Sequence, residues 1–252
     1  MKDLKNTGNP VSASQAAPRT WDFWETLLVA LIATAAYLLT GGLALSFLLA
    51  ASGAARTLSP AEVQALWLHE QWQSSGVFFG GPASIGVLWI AIRMARRGFA
   101  EYLALNWPSA GEVIRALSIM TMILAIELFV TAKLNVPTSP VQRTIVAGGV
   151  VGLIVWFVGT CVGAPIIEEL LFRGFIFRGW SQSFLGPVGT IVLASAIWAM
   201  QHTQYDWYSR FCLFISGLAF GHFRARTGST WLPVIAHSAM NIFVLFITPV
   251  SV

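Results

Sequence analysis

Charged side chains are scarce in this chain, where only 10% of the 252 residues are Asp, Glu, Lys or Arg, against about 25% in soluble domains. Hydrophobic residues make up 56% of the chain and the mean hydropathy is +0.69. This composition excludes a soluble domain. The apolar runs are continuous, which excludes the alternating strands of an outer-membrane barrel. Because backbone within lipid must satisfy its own hydrogen bonds, we expect an all-α polytopic membrane protein.

Cysteine is also rare, since the chain has only Cys161 and Cys212, and both lie within apolar runs. We interpret them as small buried residues, because their spacing does not indicate a disulfide or a metal pair. The chain contains no His-Glu-x-x-His motif, so the sequence does not require a metal ion. The net charge of +4 comes from basic residues in short loops, which set membrane topology and do not indicate nucleic-acid binding.

The apolar runs predict about seven transmembrane helices, with six and eight as the bounds. The candidate spans are Thr26–Ala51, Gly76–Met94, Glu112–Ala132, Thr144–Phe172, Pro187–His202, Arg210–Phe223 and Trp231–Val250. With the N-terminus inside, eleven Lys and Arg residues fall in cytoplasmic segments and four in outer segments. This bias predicts an internal N-terminus.

The segment Glu168-Glu169-Leu170-Leu171-Phe172-Arg173 places two carboxylates and a guanidinium in an apolar setting. Each ionisable group at membrane depth costs about 2.5–3.5 kcal/mol on insertion scales, so such groups are paired or functional. Glu169 and Arg173 are separated by one helical turn, in the order that favours an ion pair. Glu168 points to a different face of the helix and lacks a local partner. We therefore predict that Glu168 is a general base that activates water.

Two further polar groups occur in the apolar runs that follow. Trp198 and His202 are one helical turn apart, and so are His237 and Asn241. We expect these side chains to share one buried polar cavity with Glu168. His202 would help Glu168 to deprotonate water, while His237 and Asn241 would donate hydrogen bonds to an oxyanion. This set of groups fits peptide hydrolysis within the membrane.

Two alternatives to this assignment remain open. Glu168, His202 and His237 could instead be three ligands of a catalytic zinc ion with an open fourth position. The acidic residues could also serve only to hold helices together through polar contacts.

The depth of Glu168 depends on where the fourth span ends. A straight helix that ends at Phe172 would place Glu168 near the inner face, roughly 15 Å or more from His202 along the membrane normal. If the helix continues to about Trp180, Glu168 reaches the middle of the membrane. The proline in Gly163-Ala164-Pro165 would then kink this helix.

At these residues the chain resembles the CAAX protease and bacteriocin-processing family of intramembrane peptidases, also called type II CAAX prenyl endopeptidase-like proteins. The family's three motifs are Glu-Glu-x-x-x-Arg, Phe-x-x-x-His and His-x-x-x-Asn. They appear here as Glu168–Arg173, Trp198–His202 with Trp in place of Phe, and His237–Asn241. They follow one another at intervals of about 35 residues within Gly163–Ile247, and this order in apolar segments makes the resemblance specific.

The resemblance implies that Glu168 and His202 activate water and that His237 and Asn241 form the oxyanion site. Glu169, Arg173 and Trp198 would support them. The polar composition of residues 1–20 predicts a mobile tail, and the apolar runs predict N-terminal transmembrane helices over 21–140. The resemblance makes 141–252 the catalytic helical core. No cofactor is required by these roles, although a divalent metal such as zinc remains possible.

We therefore expect an intramembrane endopeptidase in a bacterial cytoplasmic membrane. Its partners would be the lipid bilayer and a peptide or membrane-protein substrate, but no nucleic acid. The alternatives are a non-catalytic immunity or scaffold protein on the same framework, and a proton-coupled transporter, because intramembrane Glu and His also mark proton paths.

Overall fold

The computed structural model describes residues 17–51, 59, 61–62, 70–136 and 149–247, and within them it contains helices and no strand. The α-helices are α1 (Phe23–Ala51), α2 (Glu70–Met94), α3 (Phe99–Tyr102), α4 (Ala110–Leu134), α5 (Gly149–Val158), α6 (Ala164–Glu169), α7 (Phe177–Trp180), α8 (Gly186–Gln201), α9 (Trp207–Thr227) and α10 (Trp231–Ile247). The fold is therefore all-α, as the composition predicts.

Four of the described helices are long and apolar enough to cross a membrane, and they are Phe23–Ala51, Gly76–Met94, Ala110–Leu134 and Ile154–Trp180. Gly186–Gln201 and Trp231–Phe246 are shorter apolar helices. Together with α9, these segments coincide with the seven predicted spans. Large apolar side chains such as Leu38, Leu39 and Phe47 on α1 are exposed, as expected for a helix in contact with lipid.

The fourth span differs from its predicted limits. Helix α5 continues through the π-helical segment Gly159–Gly163 into α6, and then through the π-helical segment Leu170–Ile176 into α7. The end predicted at Phe172 is thus wrong, and the alternative of a helix that extends to Trp180 is confirmed. The predicted start at Thr144 lies outside the described residues. The second π-helical segment directly follows Glu169, whereas α6 separates the first from the two glutamates, and π-bulges are frequent at functional sites.

Small residues let α2 approach its neighbours closely. A Cβ atom added at Gly80 would lie 2.6 Å from the carbonyl oxygen of Tyr37 on α1, and one at Gly81 would overlap Ile167 on α6. In lipid the hydrophobic effect does not drive helices together, so their association depends on close packing, which small residues allow. Helix α2 therefore packs against both α1 and the helix that carries the two glutamates.

Local sequence explains several helix ends. Ser109 and Glu112 form a capping box at the start of α4, which satisfies free N–H groups of the first turn. The side chain of Asp206 accepts a hydrogen bond from the Ser209 N–H at the start of α9. Gly228 ends α9 with a φ of 66°, a left-handed conformation that suits glycine.

Charged side chains gather at one end of the bundle. Arg97 and Arg178 both bond Oε1 of Glu101, at 2.6 and 2.8 Å. The N–H of Arg19 donates to the Ala95 carbonyl, and the Arg97 side chain donates to the carbonyl of Arg19. Residues 17–20 of the predicted mobile tail thus contact the bundle, whereas residues 1–16 lie outside the described part of the chain.

Candidate functional site

The most deeply buried charges form a cluster of three side chains. Arg173 donates from Nη1 to Oε1 of Glu169 at 3.0 Å, and Nδ1 of His237 lies 3.0 Å from the same oxygen. Glu169, Arg173 and His237 are 0, 2 and 3% exposed. The predicted ion pair of Glu169 with Arg173 is present within the fourth span, and the bond between His237 and Glu169 joins this span to α10. This arrangement keeps both charges paired in a medium of low dielectric constant.

The partner of His237 fixes which of its nitrogens carries a proton. An ionised carboxylate has no proton to give, so His237 donates from Nδ1 to Glu169. Its Nε2 is then an acceptor in the neutral ring and a donor in the imidazolium. The carboxylate of Glu169 thus orients the His237 ring, as an Asp orients the catalytic His of some hydrolases.

Arg173 is held by more than its ion pair. Its Nη2 donates to the carbonyl oxygen of Gly217 on α9 at 3.1 Å. A Cβ atom added at Gly217 would lie 2.9 Å from Cβ of Ser195 and 3.2 Å from Nη2 of Arg173, so glycine makes this close approach possible. The requirement at position 217 could not be read from the sequence, because it depends on which helices meet there.

Glu168 faces a different group from its neighbour. The indole Nε1–H of Trp198 donates to Oε2 of Glu168 at 2.6 Å. Glu168 is partly exposed whereas Glu169 is fully buried. The two adjacent carboxylates therefore have separate partners and different exposure, in agreement with the different helix faces predicted for them.

His202 lies at the C-terminal end of α8 and is partly exposed. Its Nδ1 is 2.9 Å from the carbonyl oxygen of Trp198. Since a carbonyl can only accept, Nδ1 carries the proton and Nε2 of the neutral ring is a free base. The ring of Tyr205 stacks on the imidazole with ring centroids 6.0 Å apart.

The indole of Trp198 contacts most of the predicted site residues. Its ring meets the edges of the His202 and His237 rings at centroid distances of 5.0 and 5.2 Å. The guanidinium of Arg173 lies 5.1 Å from the ring centroid. Together with the hydrogen bond to Glu168, these contacts place the polar residues of α6, α8 and α10 around one aromatic side chain. The sequence identified Trp198 as a supporting residue, but its role as a donor to Glu168 was not evident.

Asn241 makes a different contact from the one its spacing suggests. Its Nδ2 donates to the carbonyl oxygen of Thr160 at 2.8 Å, within the first π-helical segment. Between the described side chains there is no hydrogen bond from Glu168 to either imidazole, or from His237 to Asn241. The site residues are therefore connected indirectly. Trp198 contacts Glu168 and both imidazoles, Glu169 bonds His237, and the Thr160 carbonyl bonds Asn241.

The residues suggested as zinc ligands do not form a metal site in this arrangement. In the described parts of the chain, no group of three His, Cys, Asp or Glu side chains is positioned to hold a metal ion. Glu168 is bonded to an indole, and both imidazoles use Nδ1 for hydrogen bonds within the protein. These bonds leave Nε2 of each imidazole unused, and metal-binding histidines also donate their other ring N–H to a carbonyl or carboxylate, so the bonds do not exclude the zinc alternative, which stays a prediction.

Comparison with known proteins agrees with the motifs. Residues 150–243 match the family model described as "Rce1-like: Type II CAAX prenyl endopeptidase Rce1-like". The matched segment runs from α5 into α10 and contains Glu168, His202, His237 and Asn241. No curated protein and no solved structure matches the chain. The resemblance to the CAAX protease and bacteriocin-processing family is thereby confirmed, on a framework that is helical and apolar enough for a membrane.

Proposed function

We propose that this protein is an intramembrane endopeptidase in which Glu168 and His202 activate water. The observation that carries the proposal is the contrast between the two adjacent carboxylates. Glu169 is fully buried and bonded to Arg173 and His237, whereas Glu168 is partly exposed and bonded to the neutral indole of Trp198. No cation bonds Glu168 directly, although the nearby guanidinium of Arg173 attracts it, so Glu168 would remain available to accept a proton from water.

His202 supplies the second basic group. Its protonated Nδ1 leaves Nε2 free to accept a hydrogen bond from the same water, and one indole contacts both His202 and Glu168. After attack on the peptide carbonyl, Glu168 would return its proton to the leaving amine. In the proposed mechanism Glu168 and His202 activate the water, and no metal ion is needed for this step.

His237 and Asn241 are proposed to stabilise the oxyanion. In the imidazolium form His237 would donate from Nε2 while Nδ1 keeps its bond to Glu169. Asn241 uses one amide hydrogen for Thr160 and keeps a second one free. Donors that are already oriented towards a developing negative charge contribute strongly to acyl-transfer catalysis.

The proposed substrate is a peptide or membrane protein that reaches the site from the bilayer or from the cytoplasmic side. We place the protein in a bacterial cytoplasmic membrane with its N-terminus inside. The bias in Lys and Arg supports this orientation, except that Arg173 and Arg224 are buried inside the bundle and do not belong to loops.

The proposal is tested by comparing protein N-termini in native cells that carry wild-type protein, His202→Ala or His222→Ala. His222 is exposed on α9 and serves as a matched control. We expect some new N-termini to disappear in His202→Ala, with a cleavage rate reduced at least about a hundredfold, because general acid–base groups contribute 10²–10⁴-fold. The same cleavage products should persist in His222→Ala. An identical set of N-termini in all three strains, at equal protein levels, would refute peptidase activity.

The Trp198→Phe variant tests whether the indole positions Glu168. Phenylalanine keeps the aromatic packing but removes the Nε1–H donor. A hydrogen bond to a charged group contributes about 1.5–3 kcal/mol, so cleavage should slow by about tenfold or more. The matched control is Trp24→Phe, at a tryptophan that is 70% exposed. Equal cleavage rates for the two variants would remove Trp198 from the mechanism.

A further inference from the structure

Arg224 is a buried cation with no anionic partner in the described structure. It is 6% exposed and lies near the C-terminal end of α9. Its Nε donates to the carbonyl oxygen of Arg173 at 2.9 Å, and its Cζ lies 5.0 Å from the centroid of the Phe177 ring. Neither terminal nitrogen has a hydrogen-bond partner among the described residues. A buried charge of this kind costs free energy unless an opposite charge accompanies it.

The charged group that acts on Arg224 is a second cation. Arg178 repels it electrostatically, and Nε of Arg178 is itself buried without a partner. The carboxylate bonded to Arg178 is Glu101, which also bonds Arg97. Of the guanidinium groups of Arg97, Arg178 and Arg224, the first two bond the carboxylate of Glu101 and the third bonds none, so the cluster carries excess positive charge and has unused N–H donors.

We infer that Arg178 and Arg224 form a binding site for a phosphate group. Guanidinium groups present planar forks of donors that match the oxygen atoms of phosphate. A phosphate bound here would supply the missing negative charge and acceptors for the unused donors. Three exposed aromatic residues lie around this end of the bundle, namely Trp24, Trp107 and Phe184. Exposed aromatic side chains are typical of the membrane interface.

The source of the phosphate is either an anionic phospholipid headgroup or a free phosphate ion. Basic clusters beside a membrane attract anionic lipids, and several arginines gather at this end of the bundle. The site is separate from the proposed peptidase groups, although Arg224 bonds the backbone of Arg173. The inference does not depend on the proposed function.

The test measures the melting temperature of the purified full-length protein in detergent. The probes are dioctanoyl-phosphatidylglycerol, dioctanoyl-phosphatidylcholine and inorganic phosphate, each compared with chloride at equal ionic strength. We expect phosphatidylglycerol or inorganic phosphate to raise Tm saturably, by about 5–10 °C at a hundredfold excess over Kd. A shift with phosphatidylglycerol alone identifies a lipid headgroup, and a shift with inorganic phosphate identifies a free ion.

The variants distinguish a built site from a basic surface. Arg226 is exposed two residues from Arg224, so Arg226→Gln should keep the full shift, whereas Arg224→Gln should lose most of it. Arg178→Gln leaves the bond from Arg224 to the Arg173 carbonyl intact and should also weaken the shift. It therefore keeps the test decisive if Arg224→Gln does not fold. The inference is overturned if no probe raises Tm, if phosphatidylcholine acts as strongly as phosphatidylglycerol, or if Arg224→Gln and Arg178→Gln respond like wild type.

Discussion

Replacing Glu168 with glutamine is expected to reduce cleavage by about three to four orders of magnitude and to leave the folded protein intact. Glutamine has the same shape and keeps a carbonyl oxygen that can accept the hydrogen bond from Trp198. It cannot accept a proton from water, so general-base catalysis is lost. The change in unfolding free energy should stay below about 1 kcal/mol, because the side chain is partly exposed and its hydrogen bond survives.

The measurement is the cleavage rate of a substrate identified in the N-terminal comparison, together with a thermal melt of each variant. Glu127→Gln is the matched control, since Glu127 lies within the span Ala110–Leu134 and interacts with Cys212 on α9. It should keep wild-type cleavage. If Glu168→Gln still cleaves at a wild-type rate, Glu168 is not the base. If an immunity or scaffold phenotype persists without cleavage, the non-catalytic alternative is favoured.

The fold was predictable wherever a local pattern determines it. Apolar runs located the helices, four of which are long and apolar enough to cross a membrane, and the spacing of Glu169 and Arg173 identified their ion pair. The end of the fourth span was not fixed by the sequence, because two π-helical segments carry the helix to Trp180. Their carbonyl groups bond side chains from other helices, such as Asn241 to Thr160. Contacts between distant helices leave no periodic signal in a single sequence.

The sequence identified the residues of the site, but it did not predict which of them form hydrogen bonds with one another. The one-turn spacing of His237 and Asn241 suggested a shared role, yet His237 bonds Glu169 on the fourth span. The count of Lys and Arg places Arg224 among the eleven basic residues of the cytoplasmic segments, whereas the structure buries it inside the bundle. Spacing along one helix identifies residues that share a face. It does not identify the residues that this face meets.

Replacing Glu169 with glutamine should mainly reduce stability, whereas Glu168→Gln should mainly reduce cleavage. We expect the unfolding free energy to fall by about 3–5 kcal/mol, because removing one partner of a buried ion pair leaves the other charge uncompensated. The neutral amide cannot balance Arg173, which is 2% exposed. Cleavage should fall as well, since His237 loses the carboxylate that orients its ring. Thermal melts and denaturant unfolding of the purified protein measure the first effect.

A double-mutant cycle with Arg173→Met separates the ion pair from other consequences of the substitution. Each single variant leaves a group without its partner, whereas the double variant removes both charges together. The double variant should therefore lose less stability than the sum of the two single variants, with a coupling of at least about 1 kcal/mol. Additive losses, or an unchanged melt for Glu169→Gln, would show that the pair contributes no stability. Glu169 would then act only by orienting His237, and the activity of the single variant would be the remaining measure of its role.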